Sequence, residues 1–299
     1  MYEAEKRARR YERLYGERIL RPMLPHILGV LPPFTDEQVI LDVECGSGIV
    51  SQELLPTISQ SSVLIATEQD RAALRVFHHH PEIDNHPRCF VRQESPTHIG
   101  LAANVVDITI GHWRWQYITP QKDIISELVR IAKPQGKIVL TFLLPGCEGS
   151  LYDAFINIKA IHIADMLRHD GIASQVIYEL LDRPEISHFD LHPIPVSLEI
   201  GQNSRPMMDR LLLDFLLPRW MGLANGEEIT SADCAPFDLG NESLFWNFKV
   251  GIAVATIAQE KNEDVVREPD TTTETQESAT LISAPHSNDL EFKIHDEKK

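Results

Sequence analysis

No apolar stretch in this 299-residue chain approaches the ~20 residues that a membrane-spanning helix needs, so no membrane partner is expected. Cysteine is scarce. Cys45, Cys89, Cys147 and Cys234 stand far apart with no CxxC, so neither a zinc site nor a disulfide framework follows. Positive charge is also short: 28 Lys and Arg face 44 Asp and Glu, a formal net charge of −16. Such a balance repels phosphate backbones and disfavours a nucleic-acid partner unless a local basic patch exists. The densest basic cluster, Lys6 to Arg10, is flanked by acids at Glu3, Glu5 and Glu12 and reads as a solvated helix face. The N-terminus lacks an apolar signal core, and its Glu3, Glu5, Glu12 and Glu17 are foreign to transit peptides. It reads as an amphipathic helix of a cytoplasmic protein. No HExxH occurs. His78-His79-His80 cannot converge on one ion from a helix, because consecutive residues point about 100° apart, and no metal site is expected.

What is present suits a globular protein: 43% hydrophobic and 24% charged residues allow one sizeable core with an appended subdomain. Residues 1–34 form an N-terminal helical segment, with a break near Pro22–Pro25. Apolar runs rich in Val and Ile follow at Val39–Val43, Val63–Thr67, Cys89–Arg92, Val105–Ile110 and Lys137–Leu144. They are nearly continuous, as strands buried on both faces are. Helical patterns lie between them at Ile49–Leu55, Asp70–His79 and Gln121–Ala132. Alternating strands and helices predict an α/β fold, a Rossmann-like doubly wound parallel sheet with helices on both faces. Beyond Pro145 the pattern changes: helices at Leu151–Leu167 and Ser174–Leu181, a strand at Pro195–Ile200, a helix with an apolar face from Met207 to Leu217, and a last apolar segment, Leu244–Ile257. Residues 35–258 are read as the main domain, with helical insertions at 146–190 and 202–243. The polar stretch 259–299 cannot bury enough surface to offset its ordering entropy and is expected to be disordered.

The chemistry concentrates where the first strand meets a glycine-rich turn, Asp42-Val43-Glu44-Cys45-Gly46-Ser47-Gly48. Ligands bind beyond the carboxyl ends of such strands. Glycines admit the ligand close to the backbone, and a following helix presents N–H groups to an anion. Asp42 stands near any bound cation. Glu68, with Gln69 after it, ends the second strand, where an acid accepts both hydroxyl hydrogens of a ribose. Glu94 and Ser95 follow the third strand, where a carboxylate accepts from an exocyclic amine. As a dinucleotide fingerprint, Gly46-x-Gly48-x-x-Ser51 lacks its third glycine and sets Asp42 beside a pyrophosphate. For S-adenosylmethionine the same aspartate faces an ammonium and a sulfonium.

In its order of motifs the chain resembles the class I S-adenosylmethionine-dependent methyltransferases of the small-molecule type. The family's acid-x-Gly-x-Gly-x-Gly is matched by Asp42-Val-Glu44-Cys-Gly46-Ser-Gly48. Its later acids are matched by Glu68 and Glu94, its fourth stretch by Asp107-Ile-Thr-Ile-Gly111-His112-Trp113, and its helix-KPGG-strand unit by Ile124 to Leu140. The likeness covers roughly residues 10–145. It implies S-adenosylmethionine as cofactor, a sheet closed by an antiparallel last strand at Leu244–Ile257, and a cofactor site at Asp42, Glu44, Cys45, Gly46, Ser47, Gly48, Glu68, Gln69, Glu94, Ser95 and Gly111. The departure is Glu44, at a glycine position lying against the methionine portion of the cofactor. Its side chain pairs with the ammonium, crowds the pocket, turns outward, or marks a fold that no longer binds.

Methyl transfer needs alignment and water exclusion more than a base. His112, after the fourth strand, is the candidate base, with a loop histidine as the plain alternative. Trp113, Trp115 and Tyr117, and Tyr11 with Tyr15, read more readily as packing than as site walls. No Asn/Asp-Pro-Pro-Tyr follows the fourth strand, which disfavours adenine or glutamine as acceptor. The acceptor is expected to be a small molecule. The Met207–Leu217 face is core, a roof over substrate or a homodimer contact. The alternative function is a degenerate methyltransferase-fold scaffold or binding subunit, and a nicotinamide-dependent dehydrogenase is a distant third.

Overall fold

Short Val- and Ile-rich runs separated by amphipathic helices fold as a parallel sheet because each strand can bury both faces only beneath helices. The structure, a computed structural model, describes residues 2–147, 171–200 and 244–259. Strands β1 (Val39–Val43), β2 (Val63–Thr67) and β3 (Cys89–Arg92) coincide with their sequence expectations. β4 runs Val106–His112 and β5 Ala132–Leu143. The last two strands are β6 (Ile186–Ile200) and β7 (Leu244–Ile257). They form a seven-stranded sheet ordered β3-β2-β1-β4-β5-β7-β6. The β1–β2, β1–β4, β2–β3 and β4–β5 pairs are parallel, and β7 is antiparallel to both β5 and β6. This is the doubly wound, Rossmann-like arrangement expected.

Alternate residues of the strands feed two apolar layers. Ile40, Leu64, Ile108 and Ile110 pack on one side, with Leu24, Ile27, Leu54 and Phe77. Leu41, Val43, Ile138 and Leu140 pack on the other, with Ile124, Ile125, Leu128 and Trp115. The first layer is covered by α2 (Arg21–Val30), α3 (Ile49–Leu54) and α4 (Arg71–Phe77). The second is covered by α5 (Gln121–Ile131) and α6 (Ser174–Leu181).

Two features depart from the sequence reading. The break near Pro22–Pro25 is absent: α1 (Tyr2–Tyr11) passes through a π-helical stretch, Glu12–Leu20, directly into α2. The wide turn, with the Arg21 N–H donating to Gly16 O, restarts the helix so that Pro22 falls in its first turn, where a missing N–H matters least. Strand β6 begins at Ile186, well before Pro195 and within the stretch read as an insertion. Its prolines are tolerated because β6 lies at the edge of the sheet, pairing with β7 alone. The helices expected at Leu151–Leu167 and Met207–Leu217, and the tail from 260, lie outside the described residues.

Candidate functional site

The strand order reverses between β1 and β4, so the loops leaving their carboxyl ends diverge and open a crevice. The β1 loop carries positive φ at Glu44 (54°), Gly46 (59°) and Gly48 (91°). Glu44 holds a left-handed backbone that costs a side-chain-bearing residue about 1–2 kcal/mol. Gly48 has a second constraint, since a Cβ there would meet Phe77 Cδ2 at 2.6 Å. It closes α3 onto α4 rather than facing ligand.

Above this turn sits a buried acidic cluster with one cation inside it. Glu68 is fully buried, and its carboxylate accepts from the backbone N–H of Gly46 (2.9 Å) and of Asp70 (2.8 Å). Arg114, just past β4, donates from Nη2 to Glu68 Oε1 at 3.2 Å. Its Nε lies 3.8 Å from Glu44 Oε2, an ion-pair distance but not a hydrogen bond. Both carboxyl oxygens of Glu44 and Arg114 Nε are buried without a hydrogen-bond partner. The Arg114 stem lies over Gly46, its Cδ 3.7 Å from where a Cβ would stand. Burial, then the charge of Glu68, pushes Glu44 up to about 8, with Arg114 and the nearby Gln69 side chain pulling the other way. Burial works against the charge of Arg114, yet Glu68 foremost, with Tyr11, Glu44 and Asp70, raises its pKa and keeps it cationic.

Asp42 is fully buried and accepts from Ser51 Oγ at 2.6 Å, while its Oδ1 has no partner. Burial pushes it up to about 7, against the Ser51 hydrogen bond and aided by Glu68. The residue in the third-glycine place of a dinucleotide fingerprint is thus a ligand of the aspartate. His112 is buried, stacks on Trp113 at 4.7 Å, and is pushed down to about 3 by burial. The Thr141 hydroxyl accepts from Trp113 N at 3.1 Å and stands 2.7 Å from His112 Nδ1. If that hydroxyl donates to Nδ1, the network assigns the imidazole hydrogen to Nε2, which is buried without a partner.

Two cavities adjoin the cluster. The larger, about 700 Å³, lies between α1, the start of α4 and the turn after β4. Its aromatic wall is Tyr11, Tyr15, Trp113 and Tyr117, and Gln69, Asp70 and Ser47 line its other side. The smaller, about 20 Å³, lies among Asp42, Cys45, Gly46, Ser47 and His112. Glu44, Arg114 and Tyr11 border both. Four of the five aromatics read as packing therefore line the larger space; Trp115 alone is core, its Nε1 donating to Thr141 O.

The structure gathers Asp42, Glu44, Cys45, Gly46, Ser47, Glu68, Gln69 and His112 at one place. Glu94 and Ser95 line neither cavity. Glu94 pairs with Arg92 and accepts from Gly100 N, and Ser95 bonds Thr97. Gly111 is a packing glycine, because a Cβ there would meet Leu140 Cδ2 at 2.7 Å. The three histidines diverge: His78 bonds Asp84, His79 faces Arg9, and His80 pairs with Glu12. Arg114 is the residue that sequence reasoning missed. Its signal was a lone cation directly after β4, facing three acids on neighbouring strand ends.

Residues 41–140 match the model of the methyltransferase domain family. No curated protein sequence matches the chain. Among solved structures, phosphoethanolamine N-methyltransferase 2 of Haemonchus contortus, in complex with phosphomonomethylethanolamine and S-adenosylhomocysteine, superposes with a TM-score of 0.55 at 13% identity. The match covers 85% of this chain and 58% of that enzyme. The YcgJ protein of Bacillus subtilis matches with a TM-score of 0.51 at 14% identity, covering 79% of this chain and 99% of that one.

Proposed function

We propose, from the premise that this chain carries a class I S-adenosylmethionine-dependent methyltransferase domain, that it binds S-adenosylmethionine and transfers the methyl group to a small-molecule acceptor. The observation that carries this reading is the buried acidic pocket at the switch point. Asp42 Oδ1 and both Glu44 oxygens are buried and unpartnered beside a glycine cradle. Such a pocket favours a ligand with positive charge and disfavours a pyrophosphate. The residues fit the cofactor on one condition: the Arg114 side chain lies over Gly46 and must move.

Asp42 and the Glu44–Gly48 turn would hold the methionine end, Glu68 the ribose hydroxyls, and Gln69 and Asp70 the adenine side. Glu94 and Ser95, bonded to Gly100 N and Thr97, are left out of this assignment; Glu68, which lines neither cavity, would meet the ligand only once Arg114 has left it. When bound, the cofactor supplies an electrophilic methyl group on a sulfonium. The chain's own work is to orient and to exclude water. A carboxylate has about four acceptor positions; the backbone of Gly46 and Asp70 fills two on Glu68 and fixes its direction. His112, with a depressed pKa, suits a hydrogen-bond donor from Nε2 better than a base. The aromatic wall and α1 enclose a space in the size range of small-molecule sites, which supports a small acceptor.

One observation favours a second reading, a scaffold that no longer binds cofactor: Arg114 lies over Gly46 and is hydrogen-bonded to Glu68, covering the turn a cofactor would need. Calorimetric titration with S-adenosylmethionine, S-adenosylhomocysteine and NADH separates the readings. Micromolar binding of the first two supports the enzyme. Their failure to bind wild type and an Arg114→Gln variant would overturn it.

A further inference from the structure

We infer that Glu44 and Arg114 form a two-position arginine switch, in which Glu44 receives Arg114 when the cofactor arrives and so releases Glu68. This rests on the cofactor reading above. It explains why a glutamate stands at a strained glycine position.

Three observations carry it. First, among the described residues Arg114 makes one hydrogen bond where it could make several. Its Nη2 holds Glu68 at 3.2 Å, while its buried Nε has no partner. Second, a further acceptor, Glu44, lies 3.8 Å from Arg114 Nε, and both of its oxygens are buried with no partner at hydrogen-bond distance. Buried polar atoms are nearly always satisfied, and a donor and an acceptor left over side by side mark an interaction half made. Third, Glu68 differs from Glu44 in having backbone anchors. Gly46 N and Asp70 N hold it whether or not Arg114 is present. Glu68 can give up the guanidinium and remain in place, with acceptor capacity free for ribose hydroxyls. Glu44 has no backbone anchor, only the Gln69 side chain beside it, and a charged Arg114 is the stronger partner.

Glu68 holds the guanidinium in the free protein, where burial and Glu68 keep Glu44 protonated; Glu44 gives up that proton to solvent as it receives the guanidinium. A ligand entering over Gly46 displaces the stem of Arg114, and its ribose hydroxyls replace the guanidinium on Glu68. Glu44 then takes the guanidinium, so that Arg114 is not left buried and unpaired. Glu44 is thus a positioning residue: it acts through Arg114 and sets the availability of Glu68. A mere lesion in the glycine motif has the opposite consequence, because removing it would improve binding.

The test is calorimetric titration of S-adenosylmethionine into wild type, Glu44→Gln, Arg114→Gln and the double variant, with thermal unfolding of each as a control for folding. The switch requires Glu44→Gln to bind about tenfold or more weakly than wild type, because Arg114 then stays on Glu68. The double variant should recover to within about threefold of Arg114→Gln, since without the arginine Glu44 has nothing to hold. Recovery on removing a second charge is not expected of a residue that only supports the loop. If Glu44→Gln binds as well as wild type or better, the switch is wrong and the cofactor reading stands. If no folded variant binds, the cofactor reading falls and the switch with it.

Discussion

The two ends of the parallel strands treat their acids in opposite ways. At the amino end of β4, Asp107 accepts from Val39 N at 2.8 Å and pairs with Lys133 at 2.7 Å. It is partly exposed and its hydrogen bonds are made. At the carboxyl ends, Asp42, Glu44 and Glu68 are buried around a single arginine, and several of their polar atoms lack partners. The first arrangement ties three strands together. The second stores unsatisfied polarity and backbone strain, which folds tolerate where a ligand is to be held. The same residue type in the same sheet is thus structural at one end and poised for binding at the other.

The comparison is broken most directly at Glu68. Glu68→Ala should weaken S-adenosylmethionine binding by about a hundredfold, because the charge-assisted hydrogen bonds to the ribose hydroxyls are lost. Calorimetry reads this. Asp107→Ala should leave binding within about twofold and cost about 1–3 kcal/mol of stability, measured by denaturant unfolding.

Stability against pH sharpens it further. Glu44 has a folded value raised to about 8 from an ordinary 4.5, by burial and Glu68. Between those values the unfolded chain ionises while the folded one keeps its proton. The folded state binds more protons, so Glu44's contribution to stability falls as pH rises from about 4.5 to 8 and is flat above. Glu44→Gln has no such group. The two proteins should be similar in stability at pH 5, and the variant more stable at pH 8.5. Thermal unfolding at the two pH values checks it, and no difference would mean that Glu44 is not held in its neutral form. The smallest effect is Glu44→Gly at pH 5, which should stabilise the protein by about 1 kcal/mol by relieving the φ of 54°.

Much of this was legible from the residues. Runs such as Val39–Val43 and Val63–Thr67 can be buried on both faces only as parallel strands, and their bounds matched. The acids Asp42 and Glu68 fell at the strand ends where the turn needs them. Glu94 was harder to place: β3 stops at Arg92, and a local bond from Gly100 N holds Glu94 aside. Arg114 escaped because its role comes from the space above Gly46, across two loops that meet only in the fold. The aromatic wall escaped for a related reason. Spacing cannot show that α1 brings Tyr11 and Tyr15 against Trp113; the Tyr15–Trp113 ring centroids are 5.7 Å apart.

The most direct measurement is a crystal structure of wild type with S-adenosylhomocysteine bound. The account requires the ligand over Gly46, Glu68 on its ribose, and the Arg114 guanidinium on Glu44. Ligand bound with Arg114 still on Glu68, or crystals soaked at saturating ligand with the site unchanged, would contradict it.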